Sequence, residues 1–166
     1  LAIDIYFFCL CHIDRIYHKK GFLAYLPIPR YSGEKSLMIM SKKLKLQTSI
    51  TKKFTFEAMH SLPKHKGKCR NNHGHSYKLY VTISGPIKKK GSEEGMVMDF
   101  SCFSEKVKEL ILDQWDHQNL NELVAFPTTA ENLAKEAFLR IHKAGIPVTK
   151  IVLYETENNY AEVISI

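Results

Sequence analysis

An α+β domain with mainly antiparallel pairing is predicted from three features of the chain. Two alternating segments come first, two amphipathic helical segments occupy the middle, and two further strands close the sequence. Residues 43–50 alternate weakly. Phe54, Phe56, Ala58 and His60 then fall on one face of a strand, with Thr55 and Glu57 on the other. Residues 76–84 alternate strongly, placing Tyr77, Leu79, Val81 and Ile83 together. Gly85-Pro86 and the lysine-rich residues 88–95 form a turn, and residues 96–99 read as a short strand. Residues 101–114 carry a helical stripe of Phe103, Val107, Leu110 and Ile111, with Ser101 as the expected N-cap. Thr128-x-x-Glu131 has the form of a capping box that opens a second helix, whose stripe is Leu133, Ala134, Ala137, Phe138 and Ile141. Gly145 and Pro147 end it, and residues 148–156 and 160–165 form a terminal hairpin.

The chain has 166 residues, about one domain, with 45% hydrophobic and 25% charged residues. That balance excludes disorder and low complexity as its main character. Residues 1–39 lack sustained periodicity and are broken by Pro27, Pro29 and Gly33. The chain opens with Leu, and Met38 and Met40 precede the regular pattern. The expectation is a domain spanning 40–166, preceded by an extension over 1–39 that is poorly ordered or outside the natural start. Cys9, Cys11, Cys69 and Cys102 do not have the spacing of a secreted disulfide scaffold, so a cytoplasmic setting is expected. No apolar run reaches the ~18–20 residues that cross a bilayer, and no membrane partner is expected.

The net charge of +7 is segregated: residues 42–90 hold 13 Lys and Arg against Glu57 alone, whereas residues 91–166 are net acidic. A basic half of this kind suits nucleic acid or a phosphorylated small molecule. The lysine-rich stretches lack interleaved aromatics, which argues against nucleic acid.

His73-Gly74-His75 opens a strand, so both imidazoles project from one face. His60 ends the preceding strand on its inward face and would join them if the two strands pair. Three neutral imidazoles suit Zn²⁺ and leave a fourth position open. Cys69 lies four residues before His73, among Lys66, Lys68 and Arg70. It can close a four-ligand structural site, or stand beside the metal as an activated thiol. His65 is expected to be solvated or a substrate contact. Asp116-His117 can form a proton relay. Glu155 shares an apolar strand face with Ile151 and Leu153 and therefore needs a partner with paired N–H donors, either an internal Arg or the amidine edge of a pterin or guanine.

These segments occur in order together with Phe56-Glu57-Ala58-Met59-His60-Ser61-Leu62-Pro63, Gly95-Met96-Val97-Met98-Asp99-Phe100, Asp116-His117-x-x-Leu120-Asn121, Pro127-Thr128-Thr129-Ala130-Glu131-Asn132 and Glu155-Thr156-x-x-Asn159. Over about residues 50–166 the chain resembles the 6-pyruvoyl-tetrahydropterin and 6-carboxytetrahydropterin synthase family. The resemblance implies a tunnelling fold (T-fold): an antiparallel sheet with two helices on one face, assembling into a barrel-like oligomer, typically a homohexamer. It implies that His60, His73 and His75 bind Zn²⁺, that Cys69 is the catalytic proton acceptor, and that Asp116 and His117 form its relay. Glu155 would anchor the pterin, with Thr129 and Glu131 lining the pocket near a subunit interface. The three residues between Cys69 and His73 resemble the queuosine-pathway branch, whereas pyruvoyl synthases usually carry a longer insertion there. A third branch places a glutamate just before the His-Gly-His motif, and none stands there in this chain. The expected activity is therefore a zinc-dependent 6-carboxy-5,6,7,8-tetrahydropterin synthase acting on 7,8-dihydroneopterin triphosphate. The pyruvoyl synthase is the alternative, and a non-enzymatic basic zinc module that binds nucleic acid is the reading from another class.

Overall fold

Side-chain alternation along β1 (Thr48–His60) sets the plan of the molecule: Phe54, Phe56, Ala58 and His60 are buried, while the residues between them are exposed. The computed structural model describes residues 45–166, so the expected boundary near residue 40 and the segment before it lie outside the described residues. β1 pairs antiparallel with β2 (His73–Gly85) along the full length of both, from Thr48 opposite Gly85 to His60 opposite His73. The two weakly separated segments expected at 43–50 and 54–60 thus merge, because a long partner gives every residue from Thr48 onward a ladder position. β4 (Val148–Tyr154) pairs with β2 and β5 (Tyr160–Ile164) with β4, both antiparallel. The sheet order is β3-β1-β2-β4-β5. β3 is only Gln118–Asn119 and runs parallel to Ala58 and Met59 of β1, which makes the sheet mixed rather than wholly antiparallel.

All the larger helices pack on one face. α1 (Phe100–Val107) continues through a π-helical stretch, Lys108–Leu112, into α2 (Asp113–Trp115). Phe103, Val107, Ile111 and Trp115 are all fully buried along this path, at steps of four residues. In a regular α-helix each such step overshoots a full turn by ~40°, so a stripe at this spacing would wind off the core. The wider π turn takes up that excess and returns Trp115 to the buried face. After α3 (Leu120–Leu123), α4 (Ala130–Lys143) lays Leu133, Ala134, Ala137 and Ile141 on β4 and β5. The opposite sheet face carries Thr51, Lys53, Thr82 and Lys150 and is polar, as expected of a sheet covered on one side.

Three local expectations are revised. Residues 96–99 form no strand: Lys88 and Met96 bond to each other across the turn, with Gly95 at φ +85°, and do not join the sheet. Asp99, not Ser101, caps α1, because its Oδ1 accepts from the N–H groups of both Ser101 (2.8 Å) and Cys102 (3.1 Å). α4 is capped by Thr129, which accepts from Asn132 N–H, while the expected cap Thr128 is drawn elsewhere. The Asp99 cap has a consequence for acid stability. The Cys102 and Ser101 N–H groups hold its carboxyl below the usual carboxylate range. A depressed folded pKa gives stability that is present above the unfolded value of about 3.9 and lost as pH falls through the folded one. Asp99→Asn, which keeps an acceptor but not the charge, is expected to flatten the urea midpoint against pH below about pH 4. An acid limb identical to the parent's would contradict the cap's ionic character.

Candidate metal centre

His60, His73 and His75 meet at one end of the β1–β2 ladder because the register places His60 directly opposite His73, and the period of two returns His75 to the same face. Their candidate ligand nitrogens all lie within 4.8 Å of one another, and the ring centroids are 4.6–5.1 Å apart. His60 is 1% exposed. Its Nδ1 sits 2.7 Å from the carbonyl oxygen of Thr128, and His73 Nδ1 sits 2.8 Å from that of Asn71. A carbonyl only accepts, so each Nδ1 carries the proton and donates it, leaving Nε2 with its lone pair free. The Nε2 atoms of His60 and His75 are buried without any hydrogen-bond partner. Burial is the main influence on His75: it pushes the pKa down and so favours the neutral, ligating form, against the opposing charge of Glu155. Converging imidazole nitrogens, with two rings held at Nδ1 by carbonyls and two Nε2 atoms buried without a partner, are what a Zn²⁺ site requires, and the residues fit the ion.

The loop joining β1 to β2 is held at several points. Ser61 donates its N–H to Asn121 Oδ1 (2.7 Å) and accepts from Asn121 Nδ2 (2.8 Å). Thr128, fully buried, donates its hydroxyl to the same Ser61 carbonyl. Leu62 N–H donates to the Cys69 carbonyl at 2.7 Å. That places the half-buried Cys69 on a 3-10 turn, Lys68–Arg70, just ahead of His73. Its thiol is not among the clustered ligand atoms of the described residues. Lys64, Lys66, Lys68 and Arg70 are exposed around it. His65 is exposed, and its Nδ1 accepts from Gly67 N–H at 3.0 Å, so its visible role is local.

Asp116 and His117 are in contact, Oδ1 to Nδ1 at 3.0 Å. Asp116 Oδ1 also accepts from Glu57 N–H, which is the first cause holding its carboxyl below the usual range. The pair lies at the β1 edge, where His117 lines a hollow with Glu57, Met59, Gly74 and Ser76. Among the described residues no hydrogen bond or ion pair joins either to Cys69. His117 has φ +58°, a left-handed conformation that costs a residue with a Cβ about 1 kcal/mol. His117→Gly is accordingly expected to unfold at a higher urea midpoint than His117→Ala, corresponding to about 1 kcal/mol in unfolding free energy. Equal midpoints would mean that this backbone conformation is not held in solution.

Glu155 lines a cavity of about 280 Å³ with Leu62, Thr129, Glu131, Asn159 and Tyr160, so the residues expected around a planar ligand do share one space. Its carboxylate meets no arginine: Oε1 lies 3.2 Å from His60 Nε2 and 3.9 Å from His75 Nε2. Three contributors were not legible in advance. The Thr128 and Asn71 carbonyls orient imidazoles, but main-chain acceptors leave no trace in residue identity. Tyr77, fully buried, packs edge-on to His60 and His75, and its phenol is pushed up by burial and then by the charge of Glu155. Its place two residues after His75 on the same face was the available signal.

A sequence model of the family described as 6-pyruvoyl tetrahydropterin synthase matches residues 49–165. The 6-carboxy-5,6,7,8-tetrahydropterin synthase of Haemophilus influenzae is 39% identical over 135 residues, covering 68% of this chain and 96% of that one. The protein of the same name from a Synechocystis species is 44% identical over 100 residues, covering 59% and 78%. The solved structure of Caenorhabditis elegans 6-pyruvoyl tetrahydropterin synthase superposes with a TM-score of 0.62 at 27% identity, covering 72% and 96%. The expected tunnelling fold is the one this chain has.

Proposed function

The chain belongs to the 6-pyruvoyl tetrahydropterin synthase family, and from that premise we propose that it is a zinc-dependent 6-carboxy-5,6,7,8-tetrahydropterin synthase. The reaction converts 7,8-dihydroneopterin triphosphate to 6-carboxytetrahydropterin, acetaldehyde and triphosphate, within queuosine biosynthesis. The observation that carries the reading is the convergence of one ligand nitrogen from each of three imidazoles, with a cysteine four residues before His73 outside the cluster. A closed structural zinc site would use the sulfur; an open one leaves it for proton transfer.

When bound, the zinc supplies Lewis acidity toward the oxygens of the substrate's side chain. Every other part of the work falls to the chain's own groups. Glu155 accepts the paired N–H donors of the pterin, in the cavity shared with Thr129 and Glu131. The exposed lysines and arginine around Cys69 attract the triphosphate, which gives the basic half of the chain a use without nucleic acid. Cys69 takes and returns protons during triphosphate loss and tautomerisation. Asp116 fixes the His117 tautomer through Nδ1, leaving Nε2 as the exchanging nitrogen. Among the described residues the pair and the thiol are not joined, so the reading calls for a homo-oligomer that brings them together; the resemblance makes it a hexamer, and a cytoplasmic setting completes the proposal. Its contacts would also cover the outer edges of β3 and β5.

The carboxy over the pyruvoyl product is favoured by the three-residue spacing between Cys69 and His73 and by the names of the Haemophilus influenzae and Synechocystis relatives. The pyruvoyl reading keeps the support of the Caenorhabditis elegans likeness. Incubation with 7,8-dihydroneopterin triphosphate and zinc separates them. Release of acetaldehyde is expected; accumulation of 6-pyruvoyl-tetrahydropterin without it would replace the first reading by the second.

A further inference from the structure

Glu155 belongs to two places at once. Its carboxylate lines the 280 Å³ cavity, and the same group reaches the histidine cluster through Oε1, 3.2 Å from His60 Nε2 and 3.9 Å from His75 Nε2. The His60 contact is not a hydrogen bond: Nε2 has no partner, and the ring's proton is committed at Nδ1 to the Thr128 carbonyl. Two lone-pair-bearing atoms therefore face each other in a site where one partner is 1% exposed. That arrangement repels unless positive charge lies between them. Ligand atoms of a tetrahedral ion, each ~2.0–2.1 Å from it, stand roughly 3.3 Å apart, close to the 3.2 Å between Glu155 Oε1 and His60 Nε2 and short of the 3.9 Å to His75. The Glu155 main chain is anchored by its N–H to the Asn159 carbonyl at 3.0 Å, so only the side chain needs to turn.

We infer that Glu155 is an exchangeable fourth ligand of the metal centre: in the substrate-free protein Oε1 occupies the open position, and it withdraws to the pterin when the cavity fills. The second half of this exchange rests on the proposed pterin reading. The carboxylate lies outside the 4.8 Å cluster of the three imidazoles, so taking the open position needs its side chain to turn toward His73. Two consequences follow. The resting ion keeps a neutralising anionic ligand, and its open position appears only when a ring with paired N–H donors has claimed the carboxylate.

Cobalt(II) substituted into the full chain gives a direct readout, because its visible spectrum reports ligand identity independently of turnover. Wild type and Glu155→Gln are expected to give different spectra, and Glu155→Ala is expected to bind zinc about 10- to 100-fold more weakly. Unsubstituted pterin, which lacks the side-chain oxygens, should shift the wild-type spectrum toward that of Glu155→Gln and leave the variant's unchanged. Superimposable spectra of wild type and Glu155→Gln would overturn the inference. So would weaker zinc binding without a spectral change, since the carboxylate would then act only through its charge. The near-isosteric Gln variant keeps the test usable if the Ala variant fails to fold. Turnover with superimposable spectra would sink the ligand and leave the proposed function standing; the expected spectra with no turnover would do the reverse.

Discussion

Cys69→Ala is expected to lower turnover by about 10²- to 10⁴-fold while leaving zinc stoichiometry and thermal stability near the parent's. The first half follows from the proposed role of the thiol, which the imidazole cluster does not include. The second half follows from geometry. The interaction that fixes this turn uses the Cys69 carbonyl, which accepts from Leu62 N–H, and a main-chain bond survives the substitution. The side chain is half-buried, so its truncation is expected to cost within about 1 kcal/mol. Turnover, metal content and melting temperature measured on one preparation check all three. Loss of zinc together with turnover would place the sulfur in the coordination sphere and turn the site into a closed structural one.

His60→Ala is expected to do more damage, and of two kinds. It removes a ligand, so zinc should be lost. It also deletes a buried ring packed against His73, His75 and Tyr77, and it leaves the Thr128 carbonyl without its donor. A cavity plus an orphaned acceptor costs about 2–4 kcal/mol. His73→Ala should lose zinc as well, at a smaller cost in stability, because His73 is only partly buried and bonds the Asn71 carbonyl in an exposed loop. Urea unfolding of both variants in the presence of a chelator isolates the packing term from the metal term. Equal destabilisation would mean that His60 does not carry the structural role its burial gives it.

Much of this arrangement could be read from residue order because period-two alternation fixes faces. Phe54 to His60 and His75 to Ile83 each declared an inward side, and the His-x-His pattern then needed only the β1–β2 pairing to meet His60. Elements decided by tertiary acceptors were not readable. Thr128 has the local chemistry of a cap, yet the buried Ser61 and His60 compete for it and win, and Thr129 caps in its place. The π turn that keeps Trp115 on the core is invisible to a scheme built on 3.6 residues. Glu155 was legible as a carboxylate needing a partner; that it faces imidazoles depends on the order of strands across the sheet, which local pattern does not encode.

X-ray absorption at the zinc edge, on protein purified without added metal and paired with elemental analysis, tests the central claim most directly. One zinc per chain is expected, with nitrogen and oxygen neighbours at ~2.0–2.1 Å and no sulfur. A sulfur shell at ~2.3 Å, or the absence of stoichiometric metal, would contradict it.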